Sequence, residues 1–219
     1  MPEDQTSTSD SESGSVTPRV VRKRPKPGER RKQILDALAT MLEQPGSERI
    51  TTAALAARLD VSEAALYRHF ASKAQMFEGL IDFIEQSVFS FVNQNAERDP
   101  DAGDAATGAR QATRLVTMLL LFAEKNPGLT RVIVGDALVF ENERLQQRMN
   151  NFFDKIEAAL RQALRASAEN SGSVSPSVDG QVIASVLTAF AVGRLHRFAR
   201  SGFKRAPTEH LEASLARIL

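Results

Sequence analysis

From Gly28 to the end of the chain, large apolar residues recur three and four positions apart with hardly a break, the spacing that one face of an α-helix presents. Ile34, Leu35, Leu38, Met41 and Leu42 form a first stripe, and the 44–47 turn with Pro45 and Gly46 ends it. Ser72-Lys73-Ala74-Gln75 fits a capping box, which opens a helix at Ser72 that runs to about Asn95. Asp99, Pro100 and Gly103 mark a loop, and a fifth, strongly apolar helix over 110–125 is stopped by Asn126-Pro127-Gly128. Shorter helical pieces fill 129–140. Leu145, Met149, Phe152, Phe153, Ile156, Leu160, Ala163 and Leu164 trace one face of a long helix over 143–168. After a 171–176 linker, Val182, Ile183, Val186, Leu187, Phe190 and Leu195 trace another over 179–201. Pro207 and Thr208 are expected to open a last helix that ends at Leu219. No strand-like alternation and no internal repeat survives this reading, so the fold class is all-α.

Composition narrows the function classes. A chain of 219 residues that is 42% apolar can bury a sizeable core, yet its most apolar run, 115–122, falls far short of the roughly 20 residues that span a bilayer. No transmembrane helix is expected. Residues 1–18 hold no Lys or Arg and no apolar run, which argues against a secretory signal. The absence of Cys excludes disulfides, thiolate metal sites and Cys nucleophiles, and a cytoplasmic location is the expectation. His69, His196 and His210 are too scattered for a local ligand set, and there is no Ser-His-Asp order, Gly-rich phosphate loop or HExxH helix. An enzyme, a metal site and a cofactor are therefore not expected.

Charge is segregated even though the net value is only +1. Residues 1–18 carry Glu3, Asp4, Asp10 and Glu12 against no base, whereas 19–32 carry eight bases, from Arg19 to Lys32, against Glu29 alone. The basic segment beside a near-neutral body points to a polyanion at one end of the molecule, or to a solvated charged tail. Residues 1–27, rich in Ser, Thr, Pro and charge, cannot offset the entropy of ordering and are expected to be disordered.

The segment 49–70 reads RITTAALAARLDVSEAALYRHF. Thr51 or Thr52 caps a short helix with Leu55, Ala56 and Leu59 on its inner face, Asp60-Val61 makes a turn, and Ser62 caps a second helix anchored by Leu66 and Phe70. This is helix-turn-helix spacing: a small residue, Ala56, where the helices cross, a residue tolerant of left-handed backbone in the turn, and an apolar anchor after it. A helical hairpin inside a bundle shares that spacing.

The run from Val61 to Lys73, VSEAALYRHFASK, resembles the DNA-binding signature of the TetR family, and ITTAALA, MFEGLIDFIE, NPGLTR and RLHRFARSGFKRAPT extend the likeness over 29–219 to that family's nucleoid-occlusion branch. The resemblance implies dimers, with a three-helix DNA-binding domain over 28–73 and a helical dimerisation and partner-binding domain over 74–219. Asp60 departs from the Gly usual in the family, and the extension before residue 28 is longer than usual. Within the implied domain, the helix from Ser62 to His69 lies in the major groove of double-stranded DNA. There Glu63, Ala64 and Ala65 face base edges, the alanine methyls packing on thymine methyls and Glu63 accepting from cytosine. Thr51, Thr52, Tyr67, His69 and Lys73 match phosphate-holding positions, with Ser62 and Arg68 completing the DNA-binding set.

Two wide apolar faces, on the 143–168 and 179–201 helices, cannot both be covered by one hairpin. Pairing with a second copy gives a four-helix bundle and sets two recognition helices on a palindromic site. On the fourth helix, Leu80, Ile84, Val88 and Phe91 mark a core face, Phe83 lies at its edge and Phe89 points away from it. The resemblance implies that the surface between helices four and five, with Phe83, Phe89, Arg114, Lys125 and Asn126, takes the C-terminal tail of the tubulin-like division GTPase FtsZ. The same resemblance leaves open a ligand-responsive repressor, in which residues 115–122 line an effector pocket instead of plain core. The first of these, a nucleoid-associated division inhibitor without a small-molecule effector, is the reading taken forward.

Overall fold

The computed structural model describes residues 28–44, 49–96, 105–170 and 175–219. The 1–27 tail with its basic residues before Gly28, the Pro45-Gly46 turn, the 99–103 loop, most of the 171–176 linker and the side chain of Phe91 lie outside the described residues. Among the described residues every regular element is helical: α1 (Glu29–Leu42), α2 (Thr52–Arg58), α3 (Glu63–Tyr67), α4 (Lys73–Ala96), α5 (Ala105–Lys125), α6 (Pro127–Ile133), a 3-10 turn (Asp136–Leu138), α7 (Glu143–Asn170), α8 (Pro176–Arg200) and α9 (Leu211–Ile218).

One core runs through the molecule. Ile34, Leu38 and Leu42 of α1 bury against Leu55 and Ala56 of α2, Leu66 at the end of α3, and Phe70, Met76, Phe77, Leu80 and Ile84 further on. Leu80, Ile84 and Val88 are buried, as the helical spacing requires. The capping box opens α4 in a shifted form: Ser72 Oγ accepts from the Gln75 amide at 3.2 Å, while Gln75 Oε1 reaches one residue further back and accepts from the Ala71 amide at 2.8 Å.

The N-terminal helices α1 to α3 are joined to the rest of the molecule by close packing. α6 lies against α1 so tightly that a Cβ on Gly128 would stand 1.9 Å from the Ala39 carbonyl oxygen. Arg148 of α7 donates to Asp82 and Glu85 of α4, each at 2.7 Å. Burial opposes its charge, but the two carboxylates outweigh it and hold the guanidinium above its ordinary range.

Two boundaries differ most from the sequence expectation. α5 begins five residues before Arg110, because the small residues Thr107, Gly108 and Ala112 bury where apolar contrast in the sequence is weak. α9 begins at Leu211 instead of Pro207. His210 adopts φ 52, and Arg197 donates to Glu209 Oε2 at 3.1 Å while Arg194 donates to the Glu209 carbonyl, so 207–210 folds as a turn.

α7 and α8 form the most extensive helix pair. Their outward side remains apolar, with Val178, Val182 and Val186 of α8 exposed in one row and Gly193 further along with open space over it. Helix α8 is also more continuously apolar than the runs of adjacent apolar residues suggest. Ser177–Arg200 is long and apolar enough by length and composition to cross one, with a window of mean hydropathy 1.3, one third of it buried. Spacing between charges, which contiguous apolar runs do not capture, is the reason: from Gly180 to Gly193 the helix carries no charged residue.

Candidate nucleic-acid interface and adjoining groove

The helix-turn-helix is built by local hydrogen bonds. Thr51 Oγ1 accepts from the Ala54 amide at 3.1 Å and caps α2; Ser62 Oγ accepts from the Ala65 amide at 3.3 Å and caps α3. Between them, the Val61 amide donates to the Ala56 carbonyl and the Asp60 amide to the Ala57 carbonyl, the paired bonds of a Schellman ending. That ending needs a left-handed residue, and Asp60 supplies it at φ 53.

One face of this motif is open. Thr51, Ser62, Glu63, Ala64, Tyr67, Arg68 and His69 are exposed, and Thr52 and Ala65 are half-buried. Thr52 Oγ1 donates to Glu63 Oε2 at 2.6 Å, so these two members of the predicted set engage each other across the N-termini of α2 and α3. Arg31 of α1 donates to the His69 carbonyl at 3.1 Å and stacks 4.2 Å above the Phe70 ring, fixing the end of the recognition segment against α1. Lys73 is half-buried. Its Nζ is paired with Glu141 Oε1, in the segment that precedes α7, and lies 5.7 Å from the Phe77 ring centroid. Arg49, absent from the predicted set, stacks 4.5 Å above the ring of Phe140. Neither contact has a sequence signal, since Lys73 and Glu141 are 68 residues apart.

A groove of about 560 Å³ runs along the outward side of α5, lined by Thr113, Arg114, Thr117, Met118, Leu121, Phe122 and Lys125. Phe83 of α4 stands at its edge, 50% exposed, with its ring 6.2 Å from that of Phe122. Thus Arg114 and Lys125 of the predicted partner set line one groove, and Phe83 meets it through Phe122. Asn126 is not part of the groove lining; it ends α5, its Nδ2 donating to the Phe122 carbonyl at 2.7 Å and its own carbonyl accepting from the Thr130 amide. Phe89 lies apart from them: it is half-buried and packs edge-on against Phe152 of α7 at 5.6 Å. Of residues 115–122, Leu115, Val116, Leu119 and Leu120 are buried core, while Leu121 is exposed on the groove.

Comparison with known proteins bears on this arrangement. The model for bacterial regulatory proteins of the tetR family matches residues 34–80, and the SlmA-like model for the tetracyclin repressor-like C-terminal domain matches 107–218. Nucleoid occlusion factor SlmA of Shewanella loihica is 50% identical over 181 residues, 83% of this chain and 88% of that protein. SlmA of Aliivibrio fischeri is 49% identical over 187 residues, 85% and 92% of the two chains. The chain belongs to the SlmA family of nucleoid occlusion factors. SlmA-family membership carries the TetR fold with it, and solved structures agree. The FadR regulator of Bacillus subtilis, crystallised with stearoyl-CoA, superposes with a TM-score of 0.65 at 15% identity over 85% of this chain and 96% of that one. A TetR-like regulator from Rhodococcus sp. RHA1 gives 0.65 at 19% identity over 89% and 97%. At such identities the likeness is one of fold: an N-terminal helix-turn-helix followed by a helical C-terminal domain.

Proposed function

We propose that this protein is a dimer that binds palindromic chromosomal DNA through α2 and α3 and, from that position, captures the C-terminal tail of FtsZ in the groove along α5, at whose edge Phe83 of α4 stands, so that FtsZ polymers are blocked or disassembled over the nucleoid. The observation that carries the proposal is the groove itself. Phe83 is a half-exposed aromatic leaning on Phe122, and Phe122 lines the groove together with the cations Arg114 and Lys125. That chemistry suits a peptide with an apolar segment and acidic residues, and it is borne on a chain of the SlmA family.

In this reading the exposed alanine methyls of α3 and the Glu63 carboxylate meet base edges, with Glu63 exchanging the Thr52 hydroxyl for a base amino group. Thr51, Thr52, Tyr67, His69 and Lys73 hold phosphates and fix register. The row Val178, Val182, Val186 on α8 is the face that a second copy covers, which accounts for its apolar exposure without a bilayer. The protein acts by binding alone, in the cytoplasm on the nucleoid.

The test is GTP-dependent FtsZ assembly followed by light scattering and sedimentation, with the protein alone, with a selected palindromic duplex, and with scrambled DNA. Loss of polymer greatest with the selected duplex is expected, and Phe83→Ala is expected to restore assembly while leaving DNA affinity within about twofold. Undiminished assembly in every condition despite tight DNA binding overturns the FtsZ reading.

A further inference from the structure

Two cations bracket the helix-turn-helix, and both are held by consecutive residues of one distant segment. Arg49 precedes α2 by three positions, and its guanidinium covers Phe140. Lys73 opens α4 just beyond α3, and its ammonium is paired with Glu141. Phe140 is exposed apart from that cover, whereas the Glu141 side chain is only 9% exposed and that of Lys73 28%. The segment is fixed on both sides. The Glu141 amide donates to the Leu138 carbonyl of the 3-10 turn at 3.0 Å, and Asn142 Oδ1 accepts from the Arg144 amide at 2.9 Å at the start of α7. The clasp therefore ties the ends of the DNA-binding motif to the stem of α7.

We infer that Glu141 is a positioning residue for DNA binding, competing against backbone phosphate for the Lys73 ammonium. To reach a phosphate Lys73 must share or surrender its bond to a mostly buried carboxylate, and weakening the pairing of a carboxylate in such surroundings is costly. DNA affinity is thereby held below what the same contacts would give with an unengaged lysine. The inference rests on the phosphate-holding role proposed for Lys73.

The experiment is a double-mutant cycle on the full chain, with dissociation constants for a selected palindromic duplex measured across a salt series. Glu141→Gln keeps the shape and removes the charge; it is expected to tighten binding roughly tenfold at low salt without changing the slope of log K against log salt. Lys73→Met is expected to weaken binding and to reduce that slope by about 0.9 per protomer, one phosphate fewer. In the Lys73→Met background, Glu141→Gln is expected to change nothing. Should Glu141→Gln fold too poorly to titrate, Glu141→Asp, whose carboxylate is drawn back by one methylene, carries the same expectation with a smaller gain. Unchanged or weaker binding by the Glu141 variant overturns the inference, as does an effect that persists without Lys73. A Lys73→Met slope equal to that of the unmodified protein, with duplex binding intact, sinks the Lys73 phosphate role beneath it.

Discussion

At Asp60 a single residue carries a backbone cost that the motif around it demands. The Schellman ending between α2 and α3 requires positive φ, and an L-residue there gives up roughly 1–2 kcal/mol relative to glycine, less what an aspartate recovers locally. Asp60→Gly is expected to raise stability by about 1 kcal/mol in a denaturant melt, with DNA affinity unaltered. Thr51→Ala acts in the opposite direction. Loss of the cap on the Ala54 amide is expected to cost about 1 kcal/mol in the same melt. It also removes a phosphate candidate, so DNA binding is expected to fall by more than the melt alone accounts for. Features of this kind were legible in the sequence because their causes are local: Thr51, Ser62 and Ser72 each bond within three residues. The Lys73–Glu141 pair and the Arg31 bond to the His69 carbonyl were not legible, because only the packed chain brings those residues together.

At the scale of elements, the α1–α6 contact is the point where the N-terminal helices and the rest of the molecule meet most closely. Gly128 has no room for a side chain: the obstacle at 1.9 Å is the Ala39 carbonyl, which is backbone and cannot rotate away. Gly128→Ala is expected to push α6 from α1 and destabilise the protein by about 2–3 kcal/mol, read as an earlier denaturant midpoint. Reading elements from sequence succeeded wherever a face had strong apolar contrast, as in α1, α4 and α7. It failed at α9, where a proline at a favoured first-turn position suggested a start that Arg194 and Arg197, reaching from α8, override at Glu209. The groove was legible in part. Phe83 betrays itself as an aromatic at the edge of a core stripe, but the same argument picked Phe89, and only the position of α7 shows that Phe152 receives it.

For the whole molecule, the decisive untested surface is the outer side of α8. If a second copy covers Val178, Val182 and Val186, Val182→Asp places a charge in the middle of that contact. The variant is expected to sediment as a monomer and to lose at least a hundredfold in affinity for a palindromic duplex while still binding half-sites weakly. Assembly state and DNA binding then fall together, whereas Phe83→Ala leaves both intact.

α4 runs unbroken from Lys73 to Ala96, and Phe83 sits ten residues along it. At 1.5 Å per residue that is roughly 15 Å, little more than the width of a DNA major groove. Under the proposed function, a peptide docked at Phe83 is thus held almost against the duplex, on a rigid helical spacer. Its capture then happens within a few nanometres of the bound DNA, so the map of binding sites is also the map of where the protein acts.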